Sequence, residues 1–245
     1  MAQYVYGIVE ATATKPRGRG IGGAPVRLVV GDDDVAALVS EIGRDRLRMG
    51  RDEVLTHARV LDRALARGPV LPMRFGVVMD DAKEVRDRLL EEHGSELRTQ
   101  LTEMEGKVEV RIRAAYDEQS LLREIMRERP EIASLRTAVA GRPEHAAYYD
   151  RIRLGELVAA AVERHREADA RAIIEALGNH ALAVEAGEPH HERIVVQASF
   201  LVERSRLAEF NAKVDEVAEA YGGQIRFKYT GPLPPHSFVE LTEKV

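Results

Sequence analysis

The chain has 245 residues, 44% hydrophobic and 31% charged, with 36 basic side chains against 41 acidic ones and a formal net charge of −5. Such a length can bury one large core or two modest ones, and both signs of charge are spread along it, with no basic stripe for a nucleic-acid backbone. With no cysteine, disulfides, thiolate catalysis and zinc–thiolate sites are excluded together. The opening MAQYVYGIVE lacks a basic region followed by an apolar run, and no segment approaches the ~18 apolar residues of a membrane span. The expectation is a soluble cytoplasmic protein with neither nucleic acid nor membrane as partner.

Tyr4 to Glu10 alternates with apolar residues on both faces, predicting a strand in the middle of a sheet. Residues 11–24, containing KPRGRGIGG, read as a loop. Val26–Val30 and Val35–Ile42 read as two further strands around Gly31 and Asp32–Asp34, although the second also fits a short helix opened by the aspartates. Asp52 is the expected cap of a helix with the stripe Val54, Ala58, Leu61 and Leu65, stopped at Gly68-Pro69. Val70–Val78 contains Pro72, which makes it an edge or bulged strand. One long helix follows from about Asp81 to Glu105.

Gly106 is the best break point, giving a first domain over 1–106 and a second over 107–245. In the second, Val108–Tyr116 alternates as a strand, and Leu121, Leu122, Ile125 and Met126 mark a short helix ended by Pro130. A very long, alanine-rich, charge-laced helix spans about 144–178, of a kind that can project or pair with another helix. Ile194–Val202 is a strand, and Leu207, Phe210, Val214 and Val217 mark a helix ended at Gly222-Gly223. Ile225, Phe227 and Tyr229 then alternate with polar residues as a last strand, ended by Gly231. Pro232, Pro234 and Pro235 stiffen the chain beyond it into an extended arm carrying Leu233 and His236. The fold class is α+β: two ferredoxin-like α/β sandwich domains, the second expanded by the long helical insert.

The spacing of chemically active residues supports no reaction. GRGIGG at 18–23 is followed by the strand VRLVV, not by the helix N-terminus that a phosphate loop needs, so it reads as a hairpin-like connection. The histidines are His57, His93, His145, His165, His180, His190, His191 and His236, and no pair has HxxxH or HExxH spacing. His57 and His165 flank apolar helix faces, where hydrogen-bonded packing roles outweigh general-base roles. Asp32–Asp34 lacks the spaced ligands of a calcium loop and reads as a turn. Ser199, Ser205 and Ser237 sit in no GxSxG elbow. Neither cofactor nor metal is expected. Pro232–Pro235 matches PxxP, the shape bound by SH3-type grooves, but the apolar Phe238 beyond it favours an arm laid on its own domain. Arg74 has two open readings, a rim arginine satisfying carbonyls or a partner contact.

Several blocks carry a resemblance. Tyr229-Thr230-Gly231-Pro232-x-Pro234-Pro235-x-Ser237-Phe238, Val70-Leu71-Pro72-Met73-Arg74-Phe75-Gly76, Tyr4-Val5-Tyr6-Gly7-Ile8-Val9 and Arg153-Leu154-Gly155-Glu156 are together similar to the signatures of the gas vesicle F/L accessory protein family. The chain departs from the family pattern at Leu233 and His236, where an aromatic is usual. The resemblance implies a non-enzymatic accessory protein of gas vesicle assembly, associated with the vesicle, whose partners are the hydrophobic shell protein and other accessory proteins. Candidate partner-binding residues are Arg74, Phe75, Tyr229, Pro232, Leu233, Pro234, Pro235 and His236. A sensor cradling a small molecule between paired domains, and an enzyme using arginine and carboxylates alone, are the rival readings.

Overall fold

The structure is a computed structural model that describes residues 1–14, 18–43 and 50–240. Lys15 to Arg17 of the glycine-rich loop lie outside the described residues. The chain forms two compact units, one of Met1–Val110, Leu201–Ser205 and Gly231–Val245 and one of Arg111–Phe200 and Arg206–Thr230. Among the described residues, no helix is long and apolar enough to cross a membrane.

The first sheet is organised around β1 (Ala2–Glu10), whose residues up to Val9 are all buried. On one side β1 pairs antiparallel with β3 (Val35–Ile42), from Ala2 opposite Ile42 to Glu10 opposite Val35, and β3 pairs in turn with β2 (Arg27–Val30). The aspartates between β2 and β3 form a tight turn: Val35 N–H donates to the Asp32 carbonyl, and Asp33 and Asp34 both have positive φ, at 54° and 58°. That is the geometry of primed hairpin turns, which aspartate tolerates better than most residues. The segment after the aspartates is therefore a strand, not a helix.

The other side of β1 differs from the expected single strand over 70–78. It holds two short strands, β4 (Leu71–Pro72) opposite Gly7 and Ile8, and β5 (Val78–Met79) opposite Gln3 and Tyr4. Pro72 cannot donate to a ladder, and Gly76 has a φ of 100°, so the chain bows out between them.

Helices cover both faces of this sheet. On one face α1 (Arg51–Leu65) buries His57, Val60, Leu61, Ala64 and Leu65. Two details of this helix were expected otherwise. Gly50, not Asp52, is its cap, and Val54 and Ala58 are exposed because the buried stripe runs one residue earlier along each turn, through His57. On the other face, Val5, Ile8, Val29 and Val39 pack with Val85, Leu89, Leu97 and Leu101. Those last four belong to the expected helix 81–105, which is broken into three: α2 (Ala82–Glu84), capped by the Asp81 side chain, a π-helical stretch Val85–Glu91, and α3 (Gly94–Glu103). The break falls where Gly94 meets the aspartate turn. A Cβ there would come within 2.5 Å of Asp33 Oδ2.

The second sheet has the order β7-β8-β6-β9, with β6 (Lys107–Tyr116), β7 (Ala183–Ala186), β8 (Ile194–Glu203) and β9 (Ile225–Leu233). Asp117 caps α4 (Glu118–Glu128), accepting from Ser120 N–H. Pro130 does follow the end of α4, but it also opens a helix the sequence reading lacked, α5 (Pro130–Val139), since proline suits the first helical position. The long helix, α6, is Tyr148–Gly178, and α7 is Leu207–Ala220. Phe200 of β8 and Phe210 of α7 are fully buried with ring centroids 5.4 Å apart. β9 runs past Gly231 to Leu233. Pro232 is tolerated because β9 is an edge strand with one side facing no ladder.

The register of β1 against β3 shifts between Val5 and Gly7, and a Cβ on Gly7 would lie 2.6 Å from the Leu71 carbonyl oxygen. Backbone cannot yield as a side chain can. Gly7→Ala is therefore expected to cost about 1–3 kcal/mol, seen as a lower urea midpoint with an unchanged slope.

Candidate functional site

The most organised polar cluster lies in the first unit, between β1 and α1. Tyr4 and Tyr6 point from the same face of β1 into fully buried space. Each phenol hydroxyl therefore needs hydrogen-bond partners. Tyr4 Oη bonds His57 Nδ1 at 2.9 Å and accepts from Gly76 N–H at 3.0 Å. Tyr6 Oη bonds Ser40 Oγ at 2.7 Å and accepts from Ile21 N–H at 2.7 Å. Gly20 is required here, because a Cβ would approach Tyr6 Oη to 2.2 Å. The glycine-rich loop is thus a hairpin-like connection, bridged between Arg19 and Pro25, that satisfies a buried hydroxyl.

Phe75 completes the cluster, its ring centroid 5.8 Å from His57 and 6.1 Å from Tyr4. Burial dominates the electrostatics. It pushes the Tyr4 hydroxyl up to about 12 and raises Tyr6. It lowers His57 to about 4, helped by nearby His236 and opposed by the Met73 backbone. His57 Nε2 is buried and makes no hydrogen bond of normal geometry.

The C-terminal arm lies in the same unit. Glu109, wholly buried, accepts from Ser237 N–H at 2.7 Å and from Ser237 Oγ at 3.0 Å. The arm turns sharply on the way: His236 N–H donates to the Pro234 carbonyl, and Phe238 N–H to that of Pro235. Pro234 and Pro235 are buried, while Pro232 and His236 are exposed and Leu233 is half-buried. An SH3-type groove would need the prolines presented.

In the second unit, Tyr116 of β6 donates to Asp169 of α6, and burial together with that carboxylate holds the Tyr116 hydroxyl far above its ordinary range. Burial and Asp169 also push Tyr221 up to about 12. His165 of α6 meets Glu128 of α4 at 3.0 Å. Among the described residues, no group of three or more histidines and carboxylates could hold a metal ion.

Of the residues singled out from sequence, Phe75 and His236 come together around His57. Arg74 is exposed and Tyr229, half-buried, belongs to the second unit. Missed in that selection were Tyr4, Tyr6, Ser40, Glu109 and Ser237, which hold the cluster and the arm. Glu109 stands at a polar position of the β6 alternation, in phase with the exposed Arg111 and Arg113, so the sequence pattern gave no signal of its burial.

The strongly shifted groups, Tyr4, His57, Tyr116 and Tyr221, each engage the protein's own side chains. The fold and this arrangement define a mixed protein of helices and antiparallel sheet whose buried polar groups secure its own elements. The chain belongs to the GvpL/GvpF family: the match to "Gas vesicle synthesis protein GvpL/GvpF" runs over residues 2–240. It is 37% identical to Gas vesicle protein F of Streptomyces sp. (strain CB03234) over 246 residues, covering 98% of this chain and 100% of that protein. Gas vesicle protein F of Dolichospermum flosaquae is 25% identical over 241 residues, covering 97% of each. The fold matches the crystal structure of GvpF from Anabaena sp. PCC7120 with a TM-score of 0.82 at 21% identity, over 99% of both chains. GvpF from Microcystis aeruginosa matches at 0.77 and 24% identity, over 97% of this chain and 98% of that one. Family membership gives the chain a role in gas vesicle assembly.

His57 supplies a pH test. Its folded value near 4 lies below the 6.5 of an unperturbed histidine, so between those values the unfolded chain binds a proton that the folded chain refuses. Its contribution is complete above pH 6.5 and is lost as pH falls toward 4. The loss is expected to be on the order of 2 kcal/mol, the full shift being worth about 3 kcal/mol before solvent screening. Urea midpoints of wild type and His57→Gln at pH 7 and pH 4.5 check this. The wild type should lose more stability than the variant on acidification, and parallel losses would remove His57 from the account.

Proposed function

We propose that the chain serves gas vesicle assembly by binding, without catalysis, holding the hydrophobic shell protein and fellow accessory proteins while a shell is begun, in the cytoplasm and in association with the vesicle. The match over residues 2–240 carries this reading. A shell subunit with exposed apolar surface and open strand edges aggregates unless it is held. The use of the perturbed tyrosines and of His57 in internal hydrogen bonds supports a binding role over a catalytic one.

Three surfaces are candidates for the shell contact: the segment 70–78 with Arg74 and Phe75, the long helix over 144–178, and the arm with Pro232, Leu233 and His236. Pro234 and Pro235, buried, act there by shaping the arm, and Tyr229 by carrying the strand into it. The division into domains 1–106 and 107–245, both ferredoxin-like, belongs to the same proposal. The order β6, helices, β7, β8, α7, β9 with sheet order β7-β8-β6-β9 supports it for the second half, with α4–α6 as the expansion. In the first half the antiparallel order β2-β3-β1 supports it, and the helices on both faces of that sheet count against it.

Pull-down of the shell protein tests the binding role. Tagged wild type should capture it, and a chain lacking 231–236 should capture several-fold less. An Arg74→Glu, His236→Glu variant, which leaves the buried prolines in place, separates lost contact from lost folding. No capture by wild type sinks the proposal, and unchanged capture by both variants removes the arm and Arg74 from the contact.

A further inference from the structure

α6 buries only Ala161, Ile173 and Leu177 of its 31 residues. Along its first half, Tyr148, Tyr149 and Ile152 are exposed by 57%, 83% and 44%. A groove of about 540 Å³ runs beside them, lined by Leu154, Gly155, Val158, Ala159 and Val162, with Arg151, Glu163 and Glu192 around it. An apolar face of this kind has many conceivable occupants. The order of its residues selects one.

Tyr148, Ile152, Gly155, Ala159, Val162 and Arg166 follow one another at steps of four and three residues, the seam spacing of paired helices. The series is symmetric about position 157. Laid antiparallel on a copy of itself, the helix sets Gly155 against the partner's Ala159, Ile152 over the partner's Val162, and the Tyr148 ring beside the partner's Arg166. The charges obey the same symmetry. Arg151 flanks one end and Glu163 the other, so each Arg151 arrives at the partner's Glu163, twice per pair. Among the described residues Arg151 and Glu192 have no ion pair, while Glu163 meets only its own Arg166, at 2.5 Å.

Gly155 adds an independent observation. A Cβ there would meet nothing within 4 Å, so the single chain has no steric need for glycine in mid-helix, where glycine weakens a helix. Close approach of another backbone gives it a use.

We infer that this face of α6 is a two-fold interface with a second copy of the same chain, the helices crossing antiparallel with Gly155 and Ala159 at the centre. A C2 contact of this type is isologous, each patch complementing itself. It adds a defined homodimer to the assembly role and assigns the α6 surface, leaving the 70–78 segment and the arm for other partners.

Sedimentation velocity of the full chain over a range of concentrations tests it. The wild type should reach the mass of two chains. Arg151→Glu should weaken association about tenfold or more through like charges at both ends, and the reversal Arg151→Glu, Glu163→Arg should restore it. Because the chain has no cysteine, chains carrying Gly155→Cys and Ala159→Cys can be mixed under oxidation. They should cross-link to each other, while chains with cysteine at Glu167 should not. Unchanged melting temperatures establish that the variants fold. A wild type that stays at one chain, a dimer indifferent to Arg151→Glu, failure of the reversal to restore it, or preferential cross-linking at position 167 each overturns the inference. So does capture of the shell protein that Arg151→Glu abolishes while the mass stays at one chain.

Discussion

Two phenol hydroxyls on one face of one strand impose the strictest condition on the first unit. Tyr4 and Tyr6 are wholly buried, and a buried hydroxyl without partners costs roughly 1–3 kcal/mol. Their four bonds reach α1 at His57, β3 at Ser40, the glycine-rich loop at Ile21 and the bowed segment at Gly76. Four stretches remote in sequence are thereby positioned by one strand. Because the cluster is buried, His57 stays neutral at ordinary pH, and the arm's His236 adds to that preference. A proton on His57 would face an apolar wall and a second imidazole together.

The arm obeys the same logic with a carboxyl group in place of a hydroxyl. Glu109 is buried in a strand otherwise rich in apolar residues, and a buried carboxyl group needs hydrogen-bond partners. Ser237 supplies two donors to it. The neighbouring Pro234 and Pro235 fix the backbone direction that brings Ser237 there. In the second unit Asp169 plays a comparable part toward Tyr116 and Tyr221. The hydroxyls and carboxyl groups described in both units thus hold the protein's own elements together.

Much of the fold is legible from periodicity alone. β1 alternates apolar residues on both faces, and it is covered on both faces by helices. β6, β8 and α7 fall where their patterns place them. The errors have specific causes. Pro130 ends one helix and opens another, and an isolated proline does not reveal that double use. The stretch 81–105 has helical spacing throughout, yet it must pass the aspartate turn, where a Cβ on residue 94 would crowd the Asp33 side chain. Asp52 has the chemistry of a cap, but the cap lies two residues earlier, at Gly50.

What the sequence by itself determined was most of the alternation of helix and strand, and family membership through blocks spread along the chain. These are local properties, fixed by neighbours within a few residues. The tertiary structure alone decided that Tyr4, Tyr6, Ser40, His57 and Phe75 share one buried cluster, that Glu109 takes Ser237, and that α6 keeps an uncovered face. Burial is collective: whether a polar group is satisfied or a helix face is left bare depends on residues far off in the chain, and no short window contains them.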